Sequence, residues 1–316
     1  MATKPPVMVN GQRVGRFRAS WLLFKETWRF LRLDPEIPLI PLAVGIVNLL
    51  LAGVLVVGII SFHLTVQPLF EVTAAEEVVF HPLAYAFIFF FYVLSAFALA
   101  FSQGAIAHTV ITRLRGGNAS LGDSLRSAAA CWPALFIWGV ITATVGLIIQ
   151  IVAERFQGLG RIVVRLVGVA WAVLTYFVAP AIVIDRVGAV TAIKRSGTTL
   201  RQTFGETVMT NIGLGLLFAI VYVFSVLAIF GLAVAAYGVA GWVGVSIALG
   251  CGFIFLFVIG LIQSSLEAIL KTLLYAYVME HTVPPNFNAE LLANVLVRNQ
   301  QDAATTGQVP PVQSTI

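Results

Sequence analysis

The sequence predicts an all-α fold: a polytopic transmembrane helical bundle of six spans, with three amphipathic helices along the cytoplasmic surface. Three observations lead there. Of 316 residues, 59% are hydrophobic and only 10% charged, with a mean hydropathy of +0.96, whereas a soluble domain needs far more polar surface. Several apolar runs reach the length of about 20 residues that crosses a bilayer as a helix. Once those runs are drawn, lysine and arginine fall almost entirely on one side of them.

Residues 1–15 are expected to be a flexible N-terminus. The charged segment ahead of the first apolar run, and the length of that run, argue against a cleaved signal peptide. A six-span membrane domain is expected over 16–284, opening with a surface helix whose face carries Phe17, Trp21, Phe24 and Trp28. The spans are expected at about 37–62, 82–108, 131–152, 162–184, 207–235 and 241–279. A second surface helix, with Leu121, Leu125, Ala128 and Trp132 at i, i+4, i+7 and i+11, precedes the third span. A third covers 189–204. On a helical wheel Ala189, Val190, Ile193, Gly197, Leu200 and Phe204 share an arc of roughly 100°, with Lys194, Thr198, Arg201 and Gln202 opposite or flanking. Such a helix places its apolar side at the acyl boundary and its cations among headgroups. The last apolar run is too long for one untilted crossing. It is expected to run past the bilayer or to break near Gly250, Gly252 or Gly260. Asn288 can then cap a short amphipathic helix at 285–299, with Leu291, Leu292, Val295 and Leu296 on one side, and 300–316 is expected to be a disordered tail.

Cation placement orients the spans. The segment before the first span, the second and fourth loops, and the end of the sixth span with the segment after it hold all but three of the 19 basic residues. The exceptions are Arg155, Arg161 and Arg165. Positive charge is retained inside, so both termini are expected in the cytoplasm of a prokaryote, with the protein in its plasma membrane. The net charge of +5 is what this orientation demands, with a weak attraction to anionic headgroups. No nucleic-acid partner is implied. The expected partners are membrane lipids and other membrane proteins.

The surface helices echo one another. "SWLLFKETW" (20–28) aligns with "SGTTLRQTF" (196–204), pairing Ser20 with Ser196, Lys25 with Arg201, Thr27 with Thr203 and Trp28 with Phe204. In "LGDSLRSAAACW" (121–132), Ser124 stands at the same place. Each copy precedes an odd-numbered span, which suggests three parallel units of surface helix plus hairpin. Convergence remains open as an alternative, since any interfacial helix favours this pattern.

"RASWLLFKETWRFLRLDPEIPLIPL" (18–42), "WAVLTYFVAPAIVIDRVGAVTAIKRSGTTLRQTFGE" (171–206) and "LYAYVMEHTVPPNFNAELLANVLV" (274–297) resemble the opening, central and C-terminal segments of an uncharacterised family of prokaryotic six-span integral membrane proteins. More distantly, the architecture is similar to YciC-type inner-membrane proteins and to the membrane domain attached to some glycerophosphodiester phosphodiesterases. The catalytic barrel of the latter has no counterpart here, so the resemblance implies no phosphodiesterase activity. Mitochondrial carriers share six spans in three hairpins, but their P-x-[DE]-x-x-[KR] signature is missing. "PAIVIDR", at Pro180, lies in an even span with the wrong spacing.

Chemistry in a membrane protein is sought among polar groups at depth, where they are costly. Asn48, Thr142, Thr144, Thr175 and Ser225 read as uncharged glue between helices. Gln263, Glu267 and Lys271 share one face of the sixth span, and Glu267 precedes Lys271 in the order that favours an ion pair. They form either a polar path at the cytoplasmic end of the bundle or an intrahelical pair at headgroup level. Pro180 should kink the fourth span by removing the bond to the Tyr176 carbonyl. Asp185, one turn on, can pair with Arg186 or Arg113, cap the surface helix, or contribute to a coupling-ion site. His63, His81 and the acidic loop between them lack metal-site spacing, Cys131 and Cys251 read as packing residues, and no nucleophilic constellation is present. No cofactor, metal or catalytic residue is expected. The leading expectation is a non-enzymatic integral membrane protein that organises or senses the bilayer or scaffolds partners. The alternatives are a transporter or channel using Asp185, Gln263, Glu267 and Lys271 and, third, an enzyme acting on lipid.

Overall fold

A computed structural model describes residues 7–9, 12–14, 24–25, 27–32, 34–65, 70–72, 78–80, 82–156 and 158–280. Side chains at 201–214 fall outside that description. So do Phe17 and Trp21, the helix expected at 285–299 and the tail at 300–316. Two compact units divide the chain, Leu39–Gly197 and Met1–Pro38 together with Thr198–Ile316.

Within Leu39–Gly197 the order is α1 (Leu39–Thr65), a ribbon of β3 (Phe70–Val72) and β4 (Val78–Phe80), α2 (Pro82–Leu114), α3 (Leu121–Ala130), α4 (Trp132–Arg155), α5 (Leu159–Leu174) and α6 (Val178–Asp185). The first turns of α7 (Ala189–Glu280) complete the unit. Local sequence accounts for the joints. Pro41 stands in the first turn of α1, where its missing N–H has no intrahelical partner to lose. Ser120 and Asp123 cap α3 reciprocally, each side chain bonding the other's backbone N–H. Cys131 closes α3 and opens α4, with a proline in the first turn of α4. Gly158, at φ 57°, turns α4 into α5, a conformation suited to a residue without Cβ.

The core of this unit gathers at one end of its helices. Buried positions fill α2 from Ala98 to Leu114, α4 from Leu135 to Ala143, and α6 from Val178 to Val183. α2 is the hub, packing against α1, α3, α4 and α6. Two glycines set the closest approaches. A Cβ on Gly139 would lie 2.9 Å from the Phe97 nitrogen, and one on Gly104 would lie 2.6 Å from Val183 Cγ2. The remote ends are exposed and apolar, as at Leu50, Val57, Phe90 and Leu166. Lipid tails are as apolar as leucine, so close packing rather than escape from water holds such helices together.

The other unit contains the ribbon of β1 (Val7–Val9) and β2 (Gln12–Val14), paired Val7 to Val14. A helical stretch, 27–32, is followed by the buried Asp34 and Ile37. Most of the unit is α7, which reverses at Gly241 (φ 60°, ψ −143°). Its arms then run antiparallel along a glycine seam. A Cβ on Gly244 would collide with the Ala236 carbonyl oxygen, one on Gly252 would meet Ile229 at 2.6 Å, and one on Gly260 would meet the Tyr222 hydroxyl at 3.4 Å.

Among the described residues, five segments are long and apolar enough to cross a membrane: Leu39–Thr65, Tyr85–Leu114, Trp132–Arg155, Gly160–Asp185 and Leu217–Ala276. The last contains the reversal, so the two final expected spans form one helical hairpin. The reversal at Gly241 lies at the joint between the fifth and sixth expected spans, and the sixth then runs as unbroken helix to Glu280, with no break near Gly250, Gly252 or Gly260. Two of those glycines are instead where the arms touch, and Gly250 faces open space. The kink expected at Pro180 is a full interruption one turn earlier, at 175–177. Pro180 then occupies the first turn of α6, where it costs no hydrogen bond.

Candidate functional site

An interrupted helix leaves backbone groups without intrahelical partners, and in a membrane each must be satisfied inside the protein. At 175–177 part of that need is met locally. The Val178 N–H donates to the Thr175 carbonyl at 3.2 Å, and the Thr175 hydroxyl turns back to Trp171 at 2.7 Å. The rest is met by a residue from the next helix. Ser196 Oγ donates to the Leu174 carbonyl at 2.6 Å and accepts from the Phe177 N–H at 3.1 Å. One hydroxyl bridges both sides of the break, and Ser196 is fully buried.

The opposite end of α6 is held by its neighbour. Arg195 Nη1 donates to Asp185 Oδ2 in an ion pair. Arg186, expected as a partner for Asp185, adopts a left-handed conformation at φ 52°, which turns the chain into α7. Consecutive residues of one helix therefore clasp the two ends of the eight-residue α6.

A buried serine is also found at α3, bonded to a side chain and not to an open backbone. Ser124, aligned with Ser196 in the sequence echo, is also fully buried and shares a 2.6 Å hydrogen bond with Thr109 of α2. Ser127 and Thr199, equivalent positions one turn on, are buried as well. The inward sides of these helices are thus small residues and hydroxyls. α3 buries Ser124, Ser127 and Ala128, while Leu121 and Leu125 are half-buried and Trp132, the first residue of α4, is 57% exposed. In 189–200 the buried side is Ala189, Ala192, Ser196, Thr199 and Leu200. Ile193 is half-buried and Val190 is exposed. That side is rotated from the expected apolar arc because short side chains allow close approach to the protein. Near the N-terminus, Phe24 stacks on Trp28 at 6.1 Å and meets Phe218 of α7 edge-on at 6.5 Å. Arg32 lies over the Trp28 ring at 5.6 Å. The Phe204 side chain is outside the described residues.

The cap of α3 carries the unit's clearest electrostatic signature outside the spans. Hydrogen bonds from the Ser120 hydroxyl and backbone N–H hold the Asp123 carboxyl below its usual range, and nearby Arg126 adds to the effect.

The residues of the expected polar path fall in different units and are described separately. Asp185 belongs to one unit, whereas Gln263, Glu267 and Lys271 belong to the other. On the second arm of α7, Gln263 Nε2 donates to Glu267 Oε1 at 2.8 Å. Glu267 thus has a hydrogen-bond partner one turn before it, on the same face as Lys271. All three are half-buried. Asn48 and Ser225 bond to their own helices, at 3.0 Å and 2.7 Å, as uncharged polar residues in spans commonly do. Among the described residues, no three His, Cys, Asp or Glu side chains gather as metal ligands. His81 and Glu76 lie outside that description.

Sequence reading identified Ser196 and Ser124 as equivalent positions without finding their roles. The available signal was a serine repeated on the apolar side of an otherwise amphipathic pattern. A model of a family described as of unknown function, DUF6159, matches residues 82–283. That match contains the central segment 171–206 and leaves out the opening segment 18–42. No curated protein matches the chain.

Proposed function

The chain belongs to the DUF6159 family of unknown function, and from that premise we propose that it is a non-enzymatic integral membrane protein that senses or organises the lipid around it. The seating of 189–200 carries this reading. A helix with exposed Lys194 and Val190 on its outer side grips an interrupted apolar segment through Arg195 and Ser196 on its inner side. Headgroup charge or packing acting on the outer side is thereby linked to α6. In this reading the α7 hairpin supplies the fifth and sixth crossings, both termini are cytoplasmic, and the protein sits in a prokaryotic plasma membrane. The serine-anchored helices are copies of one unit and act as an interfacial scaffold for lipids and other membrane proteins.

The test is hydrogen exchange on the purified protein in vesicles of neutral lipid, with and without phosphatidylglycerol. Anionic lipid should slow exchange in 189–200 and 178–185 together. Indifference of both segments to headgroup charge would overturn the sensing reading.

A transporter or channel is the second reading, favoured by the Gln263–Glu267 bond inside Leu217–Ala276, because ionisable groups in membrane segments mark solute and ion paths. Flux of ions or small solutes into the same vesicles, abolished by Glu267→Gln, would establish it in place of the scaffold.

A further inference from the structure

The tip of the α7 hairpin is built unlike a loop that emerges into water. No Asp, Glu, Lys or Arg occurs between Glu206 and Glu267, so the reversal at Gly241 lies in a long uncharged stretch. The residues around it are apolar and strongly exposed: Val239 by 91%, Trp242 by 76% and Val243 by 67%. Tyr237 and Trp242, on either side of the turn, meet edge-to-face at 5.5 Å.

Two physical constraints bracket where such a tip can rest. Bulk water would leave the apolar side chains of Val239, Trp242 and Val243 hydrated, which the hydrophobic effect opposes. The hydrocarbon centre is excluded by the backbone. A reversal ends one helix and starts another, leaving carbonyls before Gly241 and N–H groups after it in need of hydrogen bonds. Lipid chains offer them none. The polar–apolar boundary answers both demands, and it is where Trp and Tyr are enriched. Arm length agrees. The 25 helical steps from Trp242 to Glu267 span about 38 Å at about 1.5 Å per step, against a hydrocarbon layer of about 30 Å and about 40–45 Å with headgroups. With the tip at one boundary, the first charged residue of the second arm reaches the headgroups of the other.

We infer that the Tyr237–Trp242 tip is a lipid-binding anchor seated in the distal boundary layer of the bilayer, with its turn hydrated by headgroups and its valines among the upper acyl carbons. Its partner is the distal leaflet itself. The inference rests on the reading of α7 as a membrane-crossing hairpin and adds the depth at which that hairpin ends.

The experiment uses the full chain in phosphatidylcholine vesicles, with Trp21, Trp28, Trp132, Trp138 and Trp171 replaced by phenylalanine so that Trp242 alone emits. Lipids brominated near the headgroup should quench Trp242 more than lipids brominated deep in the chain, and aqueous iodide should quench it weakly. Strong iodide quenching without lipid quenching, or stronger quenching from deep bromines, would overturn the inference. A second protein carries Phe230→Trp and Trp242→Phe in the same background and should be quenched best by deep bromines. If iodide quenches that residue as well, the membrane-crossing reading itself fails. If only Trp242 departs, the anchor alone fails. Should the tryptophan replacements prevent folding, Val239→Cys in a Cys131→Ser, Cys251→Ser protein gives an independent answer. A membrane-impermeant maleimide should react with it at least ~tenfold more slowly than with Phe156→Cys, because thiolate formation is disfavoured in apolar surroundings. Equal rates would reject the anchor.

Discussion

Ser196 donates its hydroxyl to the carbonyl of Leu174, 22 residues earlier, across a 2.6 Å hydrogen bond. The same oxygen accepts the Phe177 N–H, so a single side chain completes the backbone on both sides of the interrupted fourth apolar segment. Ser196→Ala should destabilise the protein by about 1–3 kcal/mol, the penalty for stranding buried polar groups. Ser196→Thr, which restores a hydroxyl, should recover part of the loss. Thermal unfolding in detergent, followed by circular dichroism, measures both. An alanine variant as stable as the parent would show that the break satisfies itself.

The Asp185–Arg195 pair clasps the far end of α6 and is only partly sheltered, with side-chain exposures of 17% and 41%. Its coupling energy should therefore be modest, about 1 kcal/mol. A double-mutant cycle of Asp185→Asn and Arg195→Gln isolates that energy, as each residue keeps other contacts. Strictly additive effects would mean that the pair contributes nothing to stability.

Glycines along α7 should differ sharply in their tolerance of alanine. Gly244→Ala forces a methyl group against the Ala236 carbonyl oxygen, and Gly241→Ala places a Cβ at φ 60°, costing about 1–3 kcal/mol in strain. Gly231 and Gly250 face open space, so alanine there should be neutral or stabilising by up to about 1 kcal/mol through helix propensity. Limited proteolysis and thermal unfolding of the four variants would rank them. Equal tolerance at 244 and 250 would contradict the seam.

The α3 cap should respond to acid. Because Asp123 titrates below its ordinary value of 3.8, the folded cap favours the charged carboxylate. Its contribution is present above that value and is lost as pH falls through the lower folded value. Amide protection at 121–124, corrected for intrinsic exchange, should be flat from neutral pH to about pH 4 and fall below it. Asp123→Asn should remove the pH dependence. Persistence of the acid response in that variant would assign it to another group.

Much of the architecture is legible in one dimension because crossing a bilayer is a constraint on length and polarity alone. The first four apolar runs correspond to Leu39–Thr65, Tyr85–Leu114, Trp132–Arg155 and Gly160–Asp185, because a helix satisfies its own backbone and needs only length and apolar composition to be of crossing size. Helix caps are local too, and the Ser120–Asp123 box depends on residues three apart.

Packing was not legible, because it depends on which residues from distant parts of the chain meet. Wheel geometry on 189–204 ranked side chains by hydrophobicity and chose an arc containing Val190. Tertiary structure turned the helix toward Ala192, Ser196 and Thr199, since close approach to the protein rewards small side chains that can also bond to an open backbone. Likewise, all the glycines of α7 look alike in sequence. Gly241 became the reversal and Gly244, Gly252 and Gly260 the seam only when one arm was laid against the other. The sequence by itself determined that this chain is a set of apolar helices of membrane-crossing length with its charges gathered outside them, because hydropathy acts residue by residue. The tertiary structure alone decided that α6 is clasped by Arg195 and Ser196, because a hydrogen bond across 22 residues exists only once its two ends are brought together.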